Sequence, residues 1–153
     1  MTLREEFNSK LKDSIKTKDQ VAVSTIRLML AALKDRDIAA KSKGNTEGIS
    51  DTEIMAMLQS MIKQRNESIR VYREAGREEL AEREEAEVEV INQFLPKQLD
   101  DAEVNAIIEA KIIAVGADNI RDMGKVMNVI KTEYAGQIDM SKAGALVKQK
   151  LAS

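Results

Sequence analysis

The chain of 153 residues contains neither cysteine nor histidine. Without cysteine it has no disulfide framework and no thiolate zinc site. Without histidine it lacks the commonest general base, the commonest zinc ligand and the usual pH-sensitive side chain. A function built on any of these groups is therefore not expected.

Aromatic residues, proline and glycine are scarce as well. Aromatics make up 3% of the residues, there is one proline and there are seven glycines, whereas hydrophobic residues reach 43%. The core must therefore be built from Leu, Ile, Val, Met and Ala. Because good helix formers dominate, the composition predicts an all-α protein.

Long apolar runs and a large excess of one charge are also missing. No apolar run approaches the roughly 18 residues of a membrane span. Glu5 and Glu6 stand where the apolar core of a signal peptide would begin. The formal net charge of −2 argues against coating nucleic acid through bulk positive charge, although a local basic patch is compatible with it. We expect a soluble, cytoplasmic protein with no membrane partner.

Helix-start signals and apolar periodicity predict seven helices. Capping boxes at Thr2–Glu5 and Ser50–Glu53 and an acidic start at Asp100–Glu103 mark three N-termini. The glycine-containing segment 43–49 is predicted to be a mobile loop. The first helix is expected to place apolar residues at four-residue spacing on its inner face: Leu3, Phe7, Leu11 and Ile15.

The only proline, Pro96, disfavours a helical Leu95 and predicts a domain boundary. Residues 1–94 are predicted to form an N-terminal helical domain with a long helical hairpin that folds back at Gly76. Residues 95–153 are predicted to form a small C-terminal orthogonal helical bundle.

The hairpin, from Lys63 to Leu99, has a basic first arm and an acidic second arm. At about 100° per residue, four basic residues of the first arm share one stripe: Lys63, Arg70, Arg73 and Arg77. One interpretation is an edge that contacts phosphates. The other is a solvated face paired with the glutamates of the second arm, which are Glu78, Glu79, Glu82, Glu84, Glu85, Glu87 and Glu89.

Arg65 differs from the stripe, because it falls among apolar residues of the first arm. Folding the hairpin about Gly76 brings residue 65 opposite Glu87 and one turn from Glu84. An unpaired buried guanidinium would cost several kcal/mol. We therefore predict that Arg65 is at least half buried and forms a structural ion pair with Glu87 or Glu84.

The remaining clusters of polar and charged residues give weaker evidence of a functional site. Asp35, Asp37, Asp51 and Glu53 lack calcium-ligand spacing, and two of them are explained as helix-start residues. The segment from Asp122 to Lys125 lacks the full phosphate-loop pattern. No catalytic residue, metal site or cofactor is expected.

Methionine is frequent, with eight in the chain, and several lie on predicted helix stripes. These are Met29, Met61, Met123 and Met127. Filling the core is the favoured interpretation, and an adaptable binding groove is the alternative.

Several motifs together resemble the YqeY (GatB/YqeY) family. They are Lys63-Gln64-Arg65, Ser68-Ile69, Tyr72, Ala75-Gly76-Arg77 and Leu80 on the hairpin, Leu95-Pro96-Lys97-Gln98-Leu99 with Glu103, Gly116-Ala117, and Asp122-Met123-Gly124-Lys125-Val126-Met127. Arg27-Leu28, Ala31-Ala32-Leu33-Lys34 and Ile38 fit the family's second helix. The resemblance extends over essentially the whole chain.

This family resembles the tail region of the B subunit of the tRNA-dependent amidotransferase. The resemblance implies a two-part helical fold and a non-catalytic accessory module that contacts tRNA. Its usual label, carbon–nitrogen ligase activity with glutamine as amido-N-donor, looks inherited from the large enzyme. The candidate RNA-binding residues are Lys63, Arg70, Arg73, Arg77, Lys97 and Lys125.

One departure from the family pattern bears on this expectation. Where the family commonly has Gly-Arg-Ala-Asp-Gly, this chain has Gly136-Gln137-Ile138-Asp139-Met140, so an arginine is absent. The alternative hypothesis is a helical protein–protein interaction module with no RNA role. The sequence names neither the partner nor the oligomeric state.

Overall fold

The protein is described by a computed structural model in which residues 1–152 are placed. These residues contain seven α-helices and no strand, so the predicted all-α class is confirmed. A short 3-10 turn, Ile120–Asp122, leads directly into the sixth helix. The helices are α1 (Leu3–Thr17), α2 (Gln20–Ser42), α3 (Asp51–Glu74), α4 (Glu78–Asn92), α5 (Asp101–Ala114), α6 (Met123–Glu133) and α7 (Met140–Ala152).

The chain divides into two compact units. The N-terminal unit is Met1–Pro96, and the C-terminal unit begins at Lys97. The division lies two residues after the predicted boundary between residues 94 and 95. Within residues 1–152, no helix combines the length and apolarity needed to cross a membrane.

Local side-chain chemistry determines where the helices begin. Reciprocal capping boxes join Thr2 with Glu5, Ser50 with Glu53 and Asp100 with Glu103. In each box the cap side chain and the glutamate satisfy amide groups that have no partner inside the helix. The three predicted starts therefore coincide with observed starts.

The hairpin turn between α3 and α4 depends on Gly76. Its φ of 73° lies in the left-handed region, which costs glycine little. The Gly76 amide donates to the Arg73 carbonyl at 3.1 Å, and the Arg77 amide donates to the Tyr72 carbonyl at 2.8 Å. This pair of bonds is a Schellman motif, which satisfies the last carbonyls of α3 and reverses the chain.

The core of the N-terminal unit is aliphatic, with one aromatic pair. The two phenylalanines of the chain, Phe7 and Phe94, meet edge to face with their ring centroids 4.9 Å apart. Around them α1, α2, α3 and α4 bury side chains that include Ile26, Met29, Ile54, Met57, Leu58 and Ile91.

The inner face of α1 differs from the prediction at its C-terminal end. Ile15 is 50% exposed, whereas Ser14 is buried. Thr25 on α2 is also buried, and its hydroxyl has no hydrogen-bond partner within residues 1–152. Small side chains allow helix axes to approach each other closely. Because Ile15 is half exposed, its predicted inner-face position is wrong.

The loop between α2 and α3 was predicted to be mobile, but its last residues are fixed by an ion pair. Arg4 donates to both carboxylate oxygens of Asp37, at 2.6 and 2.8 Å, and to the Ile49 carbonyl at 3.0 Å. Asp37 in turn accepts from the Ile49 amide at 2.9 Å. Gly48 lies against this clip with a φ of 91°, and a Cβ there would be 2.7 Å from Arg4 Nη2.

The C-terminal unit has a separate aliphatic core. Ile108, Val126, Ile130 and Val147 are fully buried at its centre, on α5, α6 and α7. The departure from the family motif is accommodated here. The Gln137 carbonyl accepts a hydrogen bond from the Leu99 amide at 3.0 Å, and the Gln137 side-chain amide donates a hydrogen bond to the Lys97 carbonyl. The orthogonal arrangement of these helices stays a prediction.

Candidate functional sites

The interior of the hairpin holds one cation between two carboxylates. Arg65 Nε donates to Glu87 Oε2 at 3.3 Å and lies 3.9 Å from Glu84 Oε2. The side chains of Arg65, Glu84 and Glu87 are 15%, 24% and 17% exposed. Arg65 Nη1 also donates to the Met61 carbonyl at 3.3 Å. The structure thus brings together the three residues that the hairpin geometry had grouped.

The two glutamates of this cluster have unequal environments. Burial, followed by the hydrogen bond and negative charge of Glu87, raises the pKa of Glu84 above its ordinary value, and the charge of Arg65 only partly opposes this. Glu87 takes the hydrogen bond from the guanidinium. A partly buried cation flanked by two carboxylates fits a structural role.

Two of the four residues of the basic stripe are paired with carboxylates. Arg70 is ion-paired with Glu67 and, at 2.7 Å, with Glu74, both on its own helix. Arg73 is paired with Glu78 at 3.0 Å and, across the hairpin, with Glu85. These contacts raise the pKa of both arginines. Arg73 is therefore paired with the second arm, as the second interpretation predicted, whereas Arg70 is paired within its own helix.

The other basic candidates have different surroundings. Lys63 lies exposed on α3 and has an interaction partner. Arg77 is exposed at the start of α4, where its side chain makes no capping bond. Lys97 and Lys125 belong to the C-terminal unit, where Lys125 lies 4.0 Å from Asp122.

Three of the four acidic residues considered as a cation site have other roles. Asp37 holds Arg4, and that contact lowers the pKa of the Asp37 carboxyl. Glu53 completes a capping box, and Asp51 accepts the Leu3 amide at 3.4 Å. Across residues 1–152, no three acidic side chains are arranged to hold a metal ion.

A groove runs between α6 and α7 in the C-terminal unit. Its volume is about 540 Å³, and it is open to solvent. Its apolar lining comes chiefly from Met123, Met127 and Met140, each half-buried. Gly144 lies between the helices, where a Cβ would be 3.7 Å from Met123 Cε and 3.9 Å from Met127 Cε. We call this feature the methionine groove.

Two lysines, Lys131 on α6 and Lys148 on α7, border the methionine groove. Both are exposed, and neither forms an ion pair with any residue from 1 to 152. The groove is therefore apolar along its floor and positively charged along its edges.

The sequence analysis favoured a core position for Met123 and Met127 and kept an adaptable binding groove as the alternative. Both do pack against the C-terminal core, while also lining this open surface. A signal was present, because Gly144 stands between two alanines in a helix that otherwise has good helix formers. An interior helical glycine is costly and indicates close packing or an open space.

Comparison with known proteins identifies the relatives of this chain. A family model described as "Yqey-like protein" matches residues 4–151. A protein of Schizosaccharomyces pombe named as uncharacterized is 30% identical over 95 residues, which is 62% of this chain and 73% of that protein.

Two further relatives share one name, "Altered inheritance of mitochondria protein 41, mitochondrial". The protein of Candida glabrata is 34% identical over 85 residues, covering 56% of this chain. The chain spans less than half of that relative, 45% of its length. The protein of Vanderwaltozyma polyspora is 28% identical over 149 residues, covering 92% of this chain and 78% of that protein.

These findings correct two predictions. The predicted tRNA-associated amidotransferase module is wrong, since the matching relatives carry a mitochondrial-inheritance name and no tRNA or amidotransferase role is shown. Two of the six predicted phosphate-contacting cations, Arg70 and Arg73, are paired with glutamates in the structure. The predicted cytoplasmic location is also contradicted, because these relatives are named as mitochondrial proteins.

Proposed function

The chain belongs to the YqeY family, and from this premise we propose that it is a helical docking module that binds a segment of a partner protein. The observation that carries the proposal is the methionine groove. Methionine side chains are unbranched and polarizable, so they adapt their shape to different apolar partners. Grooves of this kind accept the apolar face of an amphipathic helix.

The shape of the groove favours a peptide over a small molecule. Small-molecule sites usually enclose most of the ligand surface. The methionine groove is open along the length of α6 and α7, so a compact ligand would stay largely in water. A helix laid along the groove buries one face and leaves the other solvated.

The charges at the edges specify the partner further. Lys131 and Lys148 flank the apolar floor without carboxylate partners in the described part of the chain. A helix with glutamates or aspartates beside its apolar face would complement both lysines. The proposed ligand is therefore an acidic amphipathic helix.

The test measures binding of a labelled helical peptide to the full chain by fluorescence anisotropy. The peptide has about four turns, with Leu and Met on one face and Glu on both flanks. A matched peptide carries Lys in place of Glu. We expect the Glu peptide to bind with a dissociation constant on the order of 10 μM and the Lys peptide to bind at least about tenfold more weakly.

Two substitutions at Gly144 separate groove binding from other effects. Gly144→Phe fills the groove and should abolish binding, whereas Gly144→Ala adds a methyl at ordinary van der Waals distance from Met123 and Met127 and should retain it. Circular dichroism checks that both variants stay helical. Equal binding of the two peptides, or unchanged binding by Gly144→Phe, would contradict the proposal.

A further inference from the structure

Helix α2 presents apolar side chains to solvent as well as to the core. Val21, Leu28 and Ile38 are 39%, 48% and 56% exposed. They belong to a row of exposed residues that alternate at three- and four-residue spacing, which is the pattern of one helix of a coiled coil. We call this row the α2 seam; it consists of Val21, Ser24, Leu28, Ala31, Asp35 and Ile38.

The opposite face of α2 is anchored in the core of the N-terminal unit. Ala22, Ile26, Met29 and Leu33 are all buried there. The helix is thus formed and held before any partner arrives, over about 25 Å from Val21 to Ile38. Because a preformed helix loses little conformational freedom on binding, the seam is suited to docking.

A row of positive charge runs beside the seam. Arg27, Lys34 and Lys41 follow one another at seven-residue spacing and are exposed. Within residues 1–152 none of the three forms an ion pair. They contrast with Arg70 and Arg73 of the hairpin, each of which is held by two glutamates.

We propose that the α2 seam binds a helix of a partner protein, and that acidic residues flanking the apolar face of this helix pair with Arg27, Lys34 and Lys41. In coiled coils the residues beside the apolar seam choose the partner through charge. Three cations at seven-residue spacing require carboxylates at the same spacing opposite them. This surface is on the N-terminal unit, so the proposal is independent of the methionine groove.

A second copy of this chain does not meet that requirement. Antiparallel pairing of two α2 helices would set the basic row against itself. Parallel pairing would bring it against positions 25, 32 and 39, which are Thr25, Ala32 and Ala39. Since neither arrangement supplies a carboxylate, the occupant is a different protein.

Asp35 interrupts the seam near its C-terminal end. A polar residue at a seam position lowers affinity but specifies register. The partner helix should therefore place a basic or amide side chain opposite Asp35, between its apolar residues.

The test uses the full chain and a labelled peptide of about three heptads, with Leu and Ile on its seam and Glu on both flanks. Repulsion between its glutamates keeps this peptide from pairing with itself. We expect micromolar binding by fluorescence anisotropy, and at least about tenfold weaker binding of the matched Lys peptide. Leu28→Glu should weaken binding by about tenfold or more.

The charge proposal has its own variant. Replacing Arg27, Lys34 and Lys41 together by Glu should exchange the preference, so that the Lys peptide binds and the Glu peptide does not. Val71→Glu is the matched control, because Val71 is a similarly exposed apolar residue, at 47%, on α3. All measurements are repeated with Gly144→Phe, so that binding at the methionine groove cannot replace binding at the seam.

Three results would overturn the proposal. The first is that the Glu peptide fails to bind, or that it binds the Leu28→Glu variant as well as the unmodified chain. The second is that single-stranded RNA binds instead of the peptide and that this RNA binding is lost on charge reversal, which would make the basic row a phosphate contact. The third is that sedimentation detects a dimer of the unmodified chain that Leu28→Glu dissociates, which would make a second copy the occupant.

Discussion

The ion pair inside the hairpin makes a sharp prediction, because its two glutamates should respond oppositely to the same substitution. Glu87→Gln removes the acceptor that Arg65 Nε contacts at 3.3 Å. Glu84→Gln instead removes a carboxyl whose pKa is raised by burial and by Glu87. We expect the first substitution to destabilise the N-terminal unit and the second to be neutral or stabilising at pH 7.

The magnitude follows from the geometry. A hydrogen bond to a charged group contributes about 1.5–3 kcal/mol when it is well shielded. Arg65 and Glu87 are 15% and 17% exposed, so solvent screens their bond only in part. In the Glu87→Gln variant, Glu84 remains 3.9 Å from the guanidinium and compensates for some of the loss. We therefore expect Glu87→Gln to lower the free energy of unfolding by about 1–2 kcal/mol.

The effect of Glu84→Gln should depend on pH. A carboxyl whose pKa is higher in the folded state takes up a proton on folding, so its ionisation lowers stability as pH rises above the ordinary value of 4.5. Glu84→Gln should thus raise the free energy of unfolding at pH 7, by less than about 1 kcal/mol. At pH 4.5 the increase should be smaller.

Urea unfolding followed by circular dichroism at 222 nm measures both effects. Urea is preferred to guanidinium chloride, because an ionic denaturant screens the charges under test. Hydrogen exchange of α3 and α4 amides assigns the change to the N-terminal unit. Glu89→Gln, an exposed substitution on the same helix, is the matched control and should leave stability unchanged. Equal destabilisation by Glu84→Gln and Glu87→Gln would refute the assignment of unequal roles.

Three further predictions concern the loop clip and a helix start. Gly48→Ala should destabilise the N-terminal unit by more than about 1–2 kcal/mol in urea unfolding, since its Cβ meets Arg4 and Asp37, whereas Gly44→Ala, at φ 96° with no atom within 4 Å, carries backbone strain alone; equal effects would show that the clip tolerates the methyl. The pKa of Asp37 lies below 3.8 because Arg4 binds it, so its contribution to stability is lost as pH falls through that depressed pKa, and Asp37→Asn should make the acid limb of a stability–pH curve shallower. Asp100→Ala should cost about 1 kcal/mol and increase amide exchange in the first turn of α5, and unchanged exchange would contradict the role of its capping box.

Helix boundaries were predictable because their causes are local. The capping boxes at Thr2, Ser50 and Asp100 involve residues three positions apart, so the sequence contains both partners. The Arg65 pairing with Glu87 was predictable for a similar reason. A tight turn at Gly76 determines the register of two helices, and counting outward from it locates the partners.

Packing between helices was less predictable, because periodicity records hydrophobicity and not the distance between helix axes. It placed Ile15 inward, although the structure buries Ser14 and Thr25 there instead. The methionine groove depends on how α6 and α7 pack, and Gly144 is a local sign of it that does not specify the spacing between the two helices.

The location of carboxylates decides which basic residues are available to a partner. Arg73 on the hairpin and Lys34 on α2 both lie at exposed helical positions in charged sequence. Arg73 is held by Glu78 and Glu85, so a phosphate would have to displace two carboxylates before binding. Lys34 forms no ion pair within residues 1–152, and it borders the α2 seam. An exposed cation is therefore part of the folded hairpin in one place and, in the other, the contact that we propose for an acidic helix.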